Sequence, residues 1–303
     1  ANSIKSVIYA ANKLGKSFSG LNFCVHSQFV SSMGMGVTSA IKTASALALY
    51  EYCGFKGGRN NVAQKMMEIG DSEFLGMETI WSDIYTNLYS KKDFCTLTNC
   101  NSNEYEHLPF NLKGYSIVIT DSRVPRFGLG PESYLYNKDN FNLIKSLKIF
   151  NDKNSWFYDN DIELSEVLRP LREDVRRGLT SIIKEYQFVQ DAEVALKNNN
   201  LGGFARCVNK SHEINRDVFQ ISCPEIDWLV KRVTELDSTS SLRSPSTCSR
   251  ITGKGLGRCT YAILPTKDVD TYLERFAEYE RIFGFHPVSY IVKPSSCASV
   301  IKN

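Results

Sequence analysis

The sequence predicts an α+β protein of two domains. Three observations carry that reading. The 303 residues suffice for one large domain or two ordinary ones, each with its own core. Helix-period segments recur through the first third and return from residue 164. The second half reads strand, helices, strand, glycine turn, strand, helix, strand, which is the pattern of an α/β layer whose helices cover an antiparallel or mixed sheet. A boundary near Lys113 gives domains 1–112 and 113–303. The sequence shows no internal repeat.

Taken in order, residues 3–14 read as a helix, with Ile4, Val7, Ile8 and Ala11 on one face. LNFCVHSQFV, residues 21–30, reads as a strand, and SSMGMG breaks it. Thr38 begins an alanine-rich helix whose apolar face includes Ile41, Ala44 and Ala48, with Leu47 beside them. A further helix covers residues 61–69. From Asp71 a loop is expected, then a short helix over 81–88 and a strand from Phe94. YSIVITDS, residues 115–122, is a clear strand, and residues 151–161 read as a loop. A long helical stretch follows, which Pro170 starts, kinks or divides. The asparagines after Lys197 end it. Helices over 204–218 and 223–236 come next, the latter with Pro224 in its first turn. STSSLRSPSTCSR begins as a flexible connector. A glycine turn between strands, a helix over 269–284 and a last strand over 286–294 complete the chain.

Composition narrows the function. Hydrophobic residues make up 42% and charged residues 23%, the profile of a soluble globular protein. A net charge of +3 is too small for bulk nucleic-acid or membrane binding. The sequence has neither an apolar run of membrane-spanning length nor the apolar core of a signal peptide. The nine cysteines lack CxxC spacing and read as reduced thiols, so the expected setting is cytoplasmic. Zinc ligand spacing is absent. The chain starts at Ala1 without methionine and enters helical pattern at once, as a processed, truncated or partially supplied chain would.

Three stretches carry chemistry. SRITGKGLGRC holds Gly253, Gly255 and Gly257, with Lys254 and Arg258 in and beside the turn. Glycines let backbone N–H groups approach an anion, and successive N–H groups form an anion nest. A tight hairpin needing positive φ explains them equally well. Gly34-Met35-Gly36-Val37-Thr38-Ser39-Ala40 opens a helix, whose N-terminus is a ready anion site. There Thr38 either caps the helix or reaches a phosphate-bound metal. Two such stretches favour a nucleotide-phosphate site, contributed by Gly34, Gly36, Thr38, Ser39, Gly253 and Gly255. Residues 71–83 hold Asp71, Glu73, Glu78 and Asp83. A kinase needs carboxylates to hold Mg²⁺ and to orient or deprotonate the acceptor hydroxyl, while Glu73 and Glu78 fit solvated surface positions.

At these residues the chain resembles the galactokinases, within the GHMP small-molecule kinases. Ser211-His212, Ser222-Cys223-Pro224-Glu225-Ile226-Asp227 and SRITGKGLGRC are similar to the family's C-terminal motifs, and VITDSRV to its sugar-proximal strand. The resemblance covers nearly the whole chain and is looser in the first half. It implies a two-domain GHMP-kinase-like fold with the active site between the domains. The implied reaction is ATP-dependent phosphorylation of galactose or a related sugar at the anomeric hydroxyl, with Mg²⁺ as cofactor. Carried over residue by residue, Asp71 before Phe74-Leu75-Gly76 is the metal-binding acid, joined by Thr38. Asp83 is the catalytic, sugar-contacting aspartate. Tyr134, or Tyr136 by a small shift in spacing, is the sugar-contacting tyrosine. The partners implied are a sugar and ATP, with no nucleic acid or membrane, and oligomeric state is left open.

Departures are specific. The family's GLSSSAA has Gly36 and Val37 where serines stand, so only Thr38 keeps a hydroxyl there before Ser39. GxMDQ has become Ile80-Trp81-Ser82-Asp83-Ile84, and Arg258 replaces a glycine of the third motif. The first motif, GRVNLIGEHxDY, does not occur in this chain. An alternative reading is therefore a catalytically inactive homologue acting as a sensor, regulator or binding partner.

Overall fold

Apolar residues one turn apart make residues 3–14 a helix, and the computed structural model places α1 at Asn2–Lys13. The structure describes residues 2–18, 20–28, 34–99, 102, 104–125, 166, 168–239, 243–253 and 258–301. The chain forms two units. One comprises Ala1–Asn111 with Lys293–Asn303, the other Leu112–Val292.

In the first unit α1 packs with α2 (Val37–Tyr52), α3 (Arg59–Ile69) and α4 (Trp81–Tyr89). Their shared core is Val7, Ala10 and Ala11 against Ala46, Leu47, Leu49, Ala63, Met66, Met67, Ile84 and Leu88. The alanines let the helix axes approach closely. Between α3 and α4 the chain makes one π-helical turn, Gly70–Leu75, where the sequence reads as loop. Gly70 is required there, because a Cβ would lie 2.8 Å from the Ser6 carbonyl oxygen of α1. This close approach seats Asp71 in the interior, 1% exposed. A hairpin of β1 (Phe94–Asn99) and β2 (Glu104–Pro109) flanks the helices, paired Phe94↔Pro109 to Asn99↔Glu104. Backbone N–H groups of Cys297 and Ala298 donate to Ser90 O and Asn87 O, which ties the C-terminal segment to this unit.

Two expectations are corrected in this unit. The described part of the expected strand, residues 21–28, joins no ladder; Leu21 and Phe23 instead pack on the helical core. A strand needs a hydrogen-bonding neighbour as well as alternation. The buried side of α2 is set by Ser39, Lys42, Thr43, Ala46, Leu47 and Leu49, while Ala44 and Ala48 are exposed. Those alanines, with Ile41, face a pocket of about 510 Å³ whose other wall is residues 23–28.

The second unit is built on an antiparallel sheet in the order β4 (Cys248–Ile251), β5 (Cys259–Pro265), β3 (Tyr115–Asp121), β6 (Val288–Val292). Its register includes Ile119↔Tyr261 and Ile119↔Tyr290. Helices α5 (Glu173–Lys197), α6 (Leu201–Asp217) and α7 (Pro224–Thr234) precede β4, and α8 (Val269–Glu274) and α9 (Phe276–Phe283) precede β6. The helix expected over 269–284 is thus divided at Arg275. Val118, Ala262 and Leu264 of the sheet meet Val233, Val269 and Tyr272 in one core. Pro170 lies before α5, and Asn200 caps α6 by accepting from Gly203 N at 2.9 Å. The loop expected over 151–161 lies outside the described residues.

Candidate active site

Helix α2 begins where Gly36 turns left-handed, at φ +66°, and no side chain caps it. Its first-turn N–H groups have no intrahelical acceptor, and the helix dipole adds positive potential there. Gly36 O accepts from Ala40 N at 2.9 Å, closing the first turn. Ser39, in that turn, donates its hydroxyl to Asp83 Oδ2 at 2.7 Å. Asp83 comes from the first turn of α4, which is held by buried Ile84, Tyr85 and Leu88. The same carboxylate would lie 3.2 Å from a Cβ at position 36, so glycine leaves it room. Helices far apart in sequence thus place one carboxylate beside an uncapped glycine-opened helix terminus. An anion can take the N–H groups while Asp83 faces an incoming hydroxyl.

One turn further along α2, on the same face, Lys42 donates to Asp71 Oδ1 at 2.6 Å. Both groups are buried, with Lys42 5% exposed and Asp71 1%. Thr43 donates back to Ser39 O at 2.8 Å and holds this face of the helix.

No protein-family model matches the chain. A Treponema pallidum protein named as a galactokinase is 37% identical over 304 residues, which span 99% of this chain and 75% of the relative. The chain belongs to the galactokinase family. The galactokinase of Clostridium acetobutylicum is 28% identical over 99% of this chain and 76% of its own length. Among solved structures, Lactococcus lactis galactokinase complexed with galactose superposes with a TM-score of 0.79 at 19% identity, covering 98% of this chain and 76% of that one. Methanococcus jannaschii mevalonate kinase gives 0.58 at 14% identity, covering 97% of this chain and 74% of that one. The fold is therefore the α+β GHMP-kinase fold that the motifs imply.

Set beside the family pattern, the galactokinase-like residues divide into groups. Gly36, Ser39 and Asp83 meet directly, and Gly34 and Thr38 flank them on the chain. Gly34 is also left-handed, at φ +68°, and Thr38 is exposed. Gly253 belongs to the second unit, with φ +68° where the β4–β5 connection begins. Gly255, Tyr134 and Tyr136 lie outside the described residues.

The residues carried over for magnesium do not fit that ion. Asp71 is engaged by an ammonium, Gly36 and Val37 bring no hydroxyl, and Thr38 offers a single exposed one.

Sequence reasoning missed Lys42, because a lone lysine in an alanine-rich helix reads as a solvated position; the only signal was its place three residues after Ser39. Arg258 stands beside the glycine turn as a positive charge that an anion could use. In the structure Arg258 forms a two-point pair with Asp121, through Nε at 2.7 Å and a terminal nitrogen at 2.8 Å. Asp121 is fully buried, so it claims that charge. His212 is buried in α6, where its Nδ1 accepts from Ile251 N at 3.5 Å and so links α6 to β4, while Nε2 lies 3.3 Å from Asp227 Oδ1 of α7 without a hydrogen bond. Burial pushes the Cys95, Cys248 and Cys259 thiols up to about 12 and Cys223 up to about 11, which makes them poor nucleophiles at neutral pH.

Proposed function

We propose that this chain transfers the γ-phosphoryl group of ATP to the anomeric hydroxyl of galactose or a related sugar. The observation that carries the reading is the Asp83 carboxylate held by Ser39 at the uncapped start of α2. The first-turn N–H groups and the glycine backbone at Gly34 and Gly36 bind phosphate oxygens. The Thr38 hydroxyl adds one donor. Asp83 orients the sugar hydroxyl and takes its proton as the oxygen attacks the γ-phosphorus; the bond from phosphorus to the bridging β–γ oxygen breaks and ADP leaves. Catalysis of this kind rests on positioning and charge stabilisation. In this reading Gly253 and Gly255 give backbone contacts to phosphate, and Tyr134 contacts the sugar.

Magnesium would come with ATP and supply charge neutralisation on the transferred phosphoryl group. The setting we propose is the cytoplasm, where ATP is supplied; no described helix is long and apolar enough to cross a membrane.

The test is phosphorus NMR of MgATP and galactose with the protein, repeated with Asp83→Asn. A sugar-phosphate signal that disappears in the variant is expected. A folded protein giving no transfer would overturn the reading in favour of a non-catalytic homologue.

A further inference from the structure

We infer that Lys42 is the resident cation partner of Asp71, so that Asp71 gives no ligand to the nucleotide's divalent ion and instead fixes the face of α2 that presents Ser39. This deepens the kinase reading and rests on it for the role of Ser39.

Four observations carry the inference. The Lys42 ammonium donates to Asp71 Oδ1 at 2.6 Å, a charge-assisted contact. Both side chains are sealed from solvent, so the carboxylate is not open to a hydrated ion. Mg²⁺ requires near-octahedral oxygen ligation and gives up its waters reluctantly; the one charged group that Asp71 meets is the Lys42 ammonium, which carries the same sign as the metal ion and would repel it. Gly36 and Val37 bring no hydroxyl, which leaves Thr38 alone of the three loop positions to offer one.

The pair does other work. Ser39, Lys42 and Thr43 share one face of α2. Asp71 grips that face from the π-helical turn, with Gly70 pressed on α1 at the Ser6 carbonyl. Asp83 grips it one turn earlier through Ser39. Rotation of α2 would loosen both contacts together. Lys42 is therefore a positioning residue for Asp83, acting through the helix.

The experiment follows Mn²⁺ by electron paramagnetic resonance, with and without ATP, on the wild type, Asp71→Asn and the neutral pair Lys42→Gln/Asp71→Asn. Retained Mn²⁺, or its absence, is expected to agree within threefold across the three proteins in both conditions. A loss of more than threefold in either variant would show Asp71 to be a ligand and overturn the inference. In thermal melts of the same proteins, Asp71→Asn should lower Tm, since it leaves a buried ammonium unpaired, and the neutral pair should regain part of the loss. A neutral pair that melts no higher than Asp71→Asn, or an Asp71→Asn protein that melts like the wild type, would remove the pairing role. Where Asp71→Asn does not fold, the neutral pair alone decides the metal question. The arm without ATP reads Asp71 even if phosphoryl transfer fails, so the two readings fall separately.

Discussion

Ser39 donates to Asp83 across two helices, at 2.7 Å, within one turn of the glycine that opens α2. A hydrogen bond to a charged acceptor contributes about 1.5–3 kcal/mol. Ser39→Ala should leave the carboxylate in place but free to rotate. The expected outcome is a kcat about tenfold lower or more, with KM for galactose within about twofold, because the lost interaction positions the base rather than binds the sugar. Steady-state kinetics with varied galactose checks this; a raised KM at unchanged kcat would speak against it.

Gly36 holds φ +66° beneath the same carboxylate, and a Cβ there would sit 3.2 Å from Asp83 Oδ2. Restoring the serine of the family loop by Gly36→Ser should therefore not repair the loop. The left-handed backbone costs a non-glycine residue about 1 kcal/mol, and the new side chain crowds Asp83. We expect Tm to fall by about 2 °C or more and activity to fall with it. Differential scanning calorimetry and the phosphorus assay read the two effects.

These contacts show how far sequence reaches. Helices α1 to α4, strand β3 and the β4–β5 hairpin follow from local pattern, because each signals itself by period and by glycine or proline punctuation. Gly36, Ser39 and Asp83 were legible as a group only through motif spacing. The burial of Lys42 was not legible, because it depends on Gly70 letting α1 come close and on the π-helical turn that faces Asp71 inward. Strand β2 was missed because Glu104 and Glu106 hide its alternation; its pairing with β1 supplies what its composition does not. Residues 21–28 failed in the opposite sense, with strand-like composition and no ladder partner among the described residues.

Arg258 and Asp121 give a prediction for the second unit. The guanidinium forms its two-point pair with a fully buried carboxylate, and the Arg258 carbonyl accepts from both the Ser122 N–H at 2.7 Å and the Ser122 hydroxyl at 2.6 Å. Arg258→Gly, which restores the family residue, should leave Asp121 with only the Arg123 N–H at 3.0 Å and the Arg123 guanidinium at 3.5 Å, and cost about 1–3 kcal/mol. Adding Asp121→Asn should recover part of the loss. Urea unfolding of the single and double variants checks this; a double variant no more stable than Arg258→Gly would locate the effect in the backbone turn.

Asp237 sets a pH dependence. Its Oδ1 accepts from the Ser246 hydroxyl at 2.6 Å and N–H at 3.0 Å, and from the Thr239 N–H at 2.9 Å and hydroxyl at 2.7 Å. Partial burial raises the carboxyl pKa, but these four donors outweigh it and bring the value down to about 2. The flanks of the serine-rich connector, expected to be flexible, are thus tied to one oxygen. A depressed folded-state pKa gives its full stabilisation where the carboxylate is charged in both states and a falling part of it between the two pKa values. The contribution is therefore complete above the unfolded value near 4 and is lost as pH falls toward about 2. Asp237→Asn should melt below the wild type at pH 7, and the gap should narrow between pH 4 and pH 2. Thermal melts across that range decide it. A gap that stays constant down to pH 2 would mean that amide-for-carboxylate geometry, and not charge, is what the connector loses.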